Sequence, residues 1–138
     1  MKIIKVVLLT SLFSFPSLVF ADVAVIVNAS NTATISDSDI SRLFLGKLKA
    51  FPDGDKAAAV NSKFGSATRN EFEKKILKKS SSQVKAYWSK LIFSGKGKPP
   101  KELGSDNDIL ALVASDPAII SYIDAASVDS TVKVIKTF

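Results

Sequence analysis

The chain has 138 residues, with 19 lysines and arginines against 13 aspartates and glutamates, a formal charge of +6, and neither histidine nor cysteine. Without those two residues there is no disulfide, no thiol nucleophile, no imidazole base and no zinc site of the cysteine or histidine kind, which removes the usual residues of catalysis. A chain of this size forms one domain, able to bury roughly two thirds of its surface and fold without staples.

Lys2 and Lys5 open a short basic region, and Val6 to Phe20 is apolar apart from Thr10, Ser11, Ser14, Pro16 and Ser17. The run is shorter than the roughly 20 apolar residues of a spanning helix, and Val19-Phe20-Ala21 fits a signal-peptidase site. Residues 1–21 are therefore expected to be a signal peptide removed after Ala21. That leaves an exported, soluble, periplasmic domain over 22–138 with no stable membrane span. Loss of Lys2 and Lys5 lowers the formal charge to +4, and most remaining cations lie between Lys47 and Lys101. Such a stretch is either a solvated face or a surface for anionic partners. No nucleic-acid reading module is recognisable, so no nucleic-acid partner is expected.

Val23 to Val27 is a continuous apolar run, the pattern of a strand covered on both faces. Ser36 and Asp39 are spaced as a capping box, with Ile40, Leu43 and Phe44 as the buried stripe of a helix ending at Gly46. Pro52-Asp53-Gly54-Asp55 marks a turn, and Ala57 to Val60 a second, short strand. A helix is predicted from Ser66 to about Lys79, with Phe72, Ile76 and Leu77 facing inward. After Ser80-Ser81-Ser82, Val84, Tyr87, Trp88, Leu91 and Ile92 recur at helical spacing, and Tyr87, Trp88 and Phe93 are read as core rather than as a stacking platform. Ser94 to Pro100 is a loop. Ser105 and Asp108 cap a further helix that stops near Asp116-Pro117, and Ala118 to Ile123 and Val132 to Ile135 are the last strands. Strands interleaved with amphipathic helices predict an α/β fold, a mainly parallel or mixed sheet flanked by helices.

Little in this chain suits catalysis. Lys63 lies near Ser62 and Ser66 without any sign that the side chains face one another, and Asp37, Asp39, Asp53 and Asp55 are explained by caps and turns. No catalytic residue, metal ligand or cofactor is expected. The segment Ser62-Lys63-Phe64-Gly65-Ser66-Ala67-Thr68-Arg69 follows a strand and opens a helix, where backbone N–H groups lack intrahelical partners. Ser62, Gly65, Ser66, Thr68 and Arg69 are thus candidates for binding a small anion, Arg69 by turning back toward the helix start. Ordinary capping by Ser66 or Ser62, with Arg69 on the surface, explains the same residues.

Val25-Ile26-Val27-Asn28, Ile40-Ser41-Arg42-Leu43-Phe44-Leu45-Gly46-Lys47, Phe51-Pro52-Asp53-Gly54, Arg69-Asn70-Glu71-Phe72 and the stretch from Tyr87-Trp88 to Pro99-Pro100 together resemble phosphate ABC transporter substrate-binding proteins. The resemblance implies a type II periplasmic-binding-protein-like fold, of which this chain has room for one lobe. It also implies a role in binding phosphate or a similar small oxyanion, in transport or sensing. The matching phosphate stretch of the family, Arg-x-Asp-Gly-Ser-Gly-Thr, reads here as Ser62 to Thr68, with Ser62 in place of the arginine and Ala67 in place of the second glycine. A homo-oligomer would rebuild a closed cleft. A lobe whose ligand site is lost would instead serve as an accessory or interaction subunit of an envelope complex.

Overall fold

The computed structural model describes residues 14–15 and 22–138. Apart from Ser14 and Phe15, the expected signal segment lies outside the described residues. In chain order the elements are β1 (Val23–Asn28), α1 (Asp37–Phe44), β2 (Ala58–Asn61), α2 (Ala67–Phe72), α3 (Ser81–Phe93), β3 (Lys101–Glu102), α4 (Asp106–Ser115), β4 (Ile119–Asp124) and β5 (Val132–Thr137). A π-helical turn, Glu73–Leu77, continues α2, and a 3₁₀ turn, Ala125–Ser127, follows β4.

Among the described residues the sheet has five strands, in the order β3-β2-β4-β1-β5. It is mixed. β1 pairs antiparallel with β4 and β5, whereas β2 runs parallel to β3 and β4. All six residues of β1 are buried, as its unbroken apolar run predicts. Alternate side chains serve opposite faces: Val23, Val25 and Val27 join a core with α1, α2 and α3, while Ala24 and Ile26 join a second core with α4. Where β1 meets β5, Val23 N–H donates to Phe138 O at 2.8 Å and Phe138 N–H donates to Val23 O at 3.0 Å.

The larger core is organised around aromatic rings. Phe72 stacks on Tyr122, with centroids 3.8 Å apart and planes 6° from parallel, and Phe44 meets Phe72 edge-on at 4.7 Å. Trp88 is buried against this core, and Tyr87 Oη donates to Leu45 O at 2.6 Å. Phe93 departs from the expected core role: it is 96% exposed, because the face of α3 that carries Val84 and Trp88 inward turns Phe93 outward.

Caps set the helix starts. The Ser36–Asp39 capping box is formed, and the carboxyl of Asp39 is held below its ordinary value first by the Ser36 N–H. Ser80, expected to be a separator, forms a second such box with Gln83. At α4 only half the pattern is present, Ser105 Oγ accepting the Asp108 N–H at 3.1 Å. The predicted helix from Ser66 to Lys79 is shorter and changes pitch at Glu73, ending at Lys78, which has a left-handed φ of 55°. The widened turn brings Glu73, Ile76 and Leu77 inward together. Among the described residues no helix is long and apolar enough to cross a membrane.

Candidate functional site

The candidate segment leaves the end of β2 and turns into α2. Its first residues are fixed from the sheet. Tyr122 Oη donates to Asn61 Oδ1 at 3.1 Å and accepts the Ser62 N–H at 3.3 Å, so one phenol from β4 ties down the last residue of β2 and the first of the loop. Burial pushes the Tyr122 phenol well above its ordinary range, the nearby Arg69 charge opposing that only in part. The hydroxyl therefore stays protonated and able to donate at any ordinary pH.

Gly65 then takes a φ of +79°, a conformation that costs glycine little, and Ser66 N–H donates to Lys63 O at 3.1 Å to close the turn. Ser66 is the N-cap of α2, its Oγ accepting the Arg69 N–H at 3.2 Å and lying 3.5 Å from Ser62 Oγ. Ser62, Gly65, Ser66, Thr68 and Arg69 are thus brought into one turn. Among the described residues the N–H groups of Gly65, Ala67 and Thr68 have no protein acceptor, and Ser66 and Thr68 of the same turn carry hydroxyls. The turn can offer these donors to an oxygen-rich anion.

Arg69 does turn back toward the helix start, but its guanidinium is already engaged. Nη1 donates to Ser62 O at 3.1 Å and to Glu102 Oε2 at 3.3 Å, and Nε lies 3.6 Å from Glu73 Oε2. Arg69 is 7% exposed and Glu73 1% exposed. The Nε–Oε2 pair is held by charge alone, since neither atom has a hydrogen bond. The guanidinium also covers the Phe64 ring, 5.3 Å from its centroid. Glu102 completes the arrangement from β3 by accepting the Phe64 N–H through Oε1 at 3.0 Å. One loop N–H is therefore already occupied by a carboxylate of the same chain. Glu73 is readable in the sequence as the i+4 partner of Arg69. Nothing local announces Glu102, 33 residues further on, or Tyr122.

On the other side of Arg69 and Phe64 lies an open groove of about 290 Å³ between the loop and α3, floored by Trp88. A separate depression of about 320 Å³ opens near the β1–α1 loop, with Asp53, Asp55 and Asp116 in its wall. Among the described residues no group of three or more acidic side chains lies close enough together to hold a metal ion.

No protein-family model matches the chain, and no curated protein matches it. Solved structures do. An ABC-type phosphate transport receptor from Vibrio cholerae is similar over 85% of this chain and 47% of that chain, with 21% identity and a TM-score of 0.65. A structure from Clostridium perfringens with bound phosphate, of a protein assigned as a phosphate ABC transporter substrate-binding protein, matches over 85% of this chain and 46% of that one, at 19% identity and a TM-score of 0.64. PstS from Borrelia burgdorferi covers 84% and 47%, at 14% identity and a TM-score of 0.58. The chain spans about half the length of these structures. At such identities the likeness is one of fold: this chain has the α/β architecture, with a mixed sheet between helices, of one lobe of a periplasmic-binding-protein-like structure.

Proposed function

We propose that the protein is an exported, non-enzymatic binding module for phosphate or a similar small oxyanion, working in transport or sensing. The observation that carries this reading is the turn at 65–68, where three backbone N–H groups are without protein acceptors and Ser66 and Thr68 carry hydroxyls. The fold is shared with proteins described as phosphate receptors, one of them solved with phosphate bound. In this reading Arg69 holds the loop in shape through Ser62 O and Glu102, and the ligand is gripped by N–H and O–H donors. Affinity of this lobe by itself is expected to be modest, because it leaves one side of the anion in water.

Calorimetric titration with phosphate, sulfate and arsenate tests it, repeated on Ser66→Ala and Thr68→Ala. Heat that disappears in both variants supports the site. Absence of heat and of thermal stabilisation with anion in the millimolar range would remove it. A second reading, a lobe that binds no small ligand and serves as an accessory subunit of an envelope complex, is favoured by the engagement of Arg69 and Glu102 with each other. Its expected outcome is no anion response together with recovery in a larger assembly from the native envelope.

A further inference from the structure

Large apolar side chains that face water gather at one place. Among the described residues Phe64 is 48%, Ile92 55% and Phe93 96% exposed. Phe64 and Ile92 line the groove floored by Trp88, as do Lys85 and Ser89 of α3. Lys85, Ser89 and Phe93 follow one another at intervals of four residues, so they form one row along the helix. Phe93, the last residue of α3, stands one turn beyond the two that line the groove. Lys85, Ala86, Ser89, Ile92 and Phe93 are all exposed, whereas Val84 and Trp88 are buried. The outer face of α3 therefore carries a protruding ring at its C-terminal end and smaller or flexible side chains before it. Exposed apolar side chains clustered in this way, rather than scattered singly, mark an interaction surface.

We propose that this face is a self-complementary contact between two copies of the chain, the two α3 helices crossing antiparallel about a two-fold axis at Ser89. The offsets along the helix select a second copy as the occupant. An axis at Ser89 sets Phe93 of each copy opposite Lys85 of the other, and Ile92 opposite Ala86. The ring of Phe93 then meets the methylene stem and ammonium of Lys85, while Ile92 rests on the small Ala86. Ser89 is small enough for close approach at the crossing. Lys85 is the one charged residue among these five, and it has no ion-pair partner among the described residues. Its two copies stand eight residues apart along the antiparallel axes, about 12 Å, which exceeds the Debye length of about 8 Å. The like charges are thus screened from each other while each lysine gains a ring. The helical contact from Lys85 to Phe93 is about 13 Å long, so the dimer is a weak one, below the size of a permanent interface. Pairing here is independent of whether the turn at 65–68 takes an anion.

The chain has no cysteine, so one introduced thiol reports the contact. Under mild oxidation Ser89→Cys is expected to give a disulfide-linked dimer about tenfold faster than Lys90→Cys, an equally exposed position about 100° further round the helix. Sedimentation of the purified protein up to about 1 mM is expected to show a reversible dimer. Phe93→Lys sets a lysine against Lys85 and weakens that dimer about tenfold, with the melting temperature unchanged because the position is exposed. Adding Lys85→Glu to Phe93→Lys places opposite charges across the axis and restores the dimer. The proposal is overturned if the protein stays monomeric at about 1 mM, or if Ser89→Cys crosslinks no faster than Lys90→Cys. It is equally overturned if the double variant dimerises no better than Phe93→Lys, or if phosphatidylglycerol vesicles take up the protein through Phe93 and no dimer forms.

Discussion

Replacing Arg69 by methionine keeps the length of the side chain and removes its charge, leaving the Glu73 carboxylate, 1% exposed, without its cation. The remaining polar neighbour is Ser81 Oγ, 3.1 Å from Glu73 Oε1. Breaking a buried ion pair from one side costs about 3–5 kcal/mol, because the surviving charge stays out of water. Arg69→Met also frees Ser62 O and Glu102 from their donor, so the upper part of that range is expected. A loss of this size is a large share of the roughly 5–15 kcal/mol that holds a domain together. It corresponds to a fall in Tm of about 10–20 °C. The double variant Arg69→Met with Glu73→Leu removes the stranded charge and should recover most of the loss. Urea unfolding of the four members of the cycle measures the coupling. A single-variant loss below about 1 kcal/mol, the value of a solvated pair, would refute the reasoning. So would a double variant as unstable as the sum of the two single ones.

Tyr122→Phe strands the Ser62 N–H and the Asn61 side-chain oxygen in the interior, with an expected cost of about 1–3 kcal/mol in the same unfolding assay. In the native protein the Tyr122 phenol ionises above the ordinary value of about 10, so the stability this gives is whole below pH 10 and is lost as pH rises beyond it. Absorbance titration should accordingly show its phenolate appearing only together with unfolding. Gly46→Ala sets a Cβ 3.0 Å from the Trp88 ring at a φ of +71°, and should lower stability by about 1–3 kcal/mol with a shift in Trp88 emission. Lys78→Gly relieves the single non-glycine left-handed residue among those described, and a gain of about 1 kcal/mol in thermal unfolding is expected.

What could be read from the sequence follows the range of the forces involved. The burial of β1 was legible because an apolar run without polar alternation has one stable placement, between two layers. The Ser36 cap was legible because its partner is three residues away. β3 was not: Lys101 and Glu102 carry no apolar signal, and they form a strand only because β2 offers them its edge. The antiparallel setting of β1 between β4 and β5 likewise depends on pairings about a hundred residues apart. Phe93 was misread as core because helical spacing shows that α3 has an inner face but not where that face ends. At the candidate site the turn, Gly65 and the Ser66 cap were legible. The fate of Arg69 was not, since it is decided by Glu102, which the fold alone brings near.

The paired hydrogen bonds between Val23 and Phe138 also decide how the domain would answer a mechanical load. β1 and β5 run antiparallel, so a pull on residues 22 and 138 draws two neighbouring strand ends apart sideways. The bonds of that ladder are then loaded one at a time, like the teeth of a zip, instead of sharing the force in shear. Among the described strands β1 alone is bonded to both β4 and β5, and it feeds both cores. Its departure would open both cores, leaving β4 and β2 alone between α4 and the aromatic layer. Burial on both faces of β1 therefore does not protect the fold along the direction in which residues 22 and 138 are drawn apart.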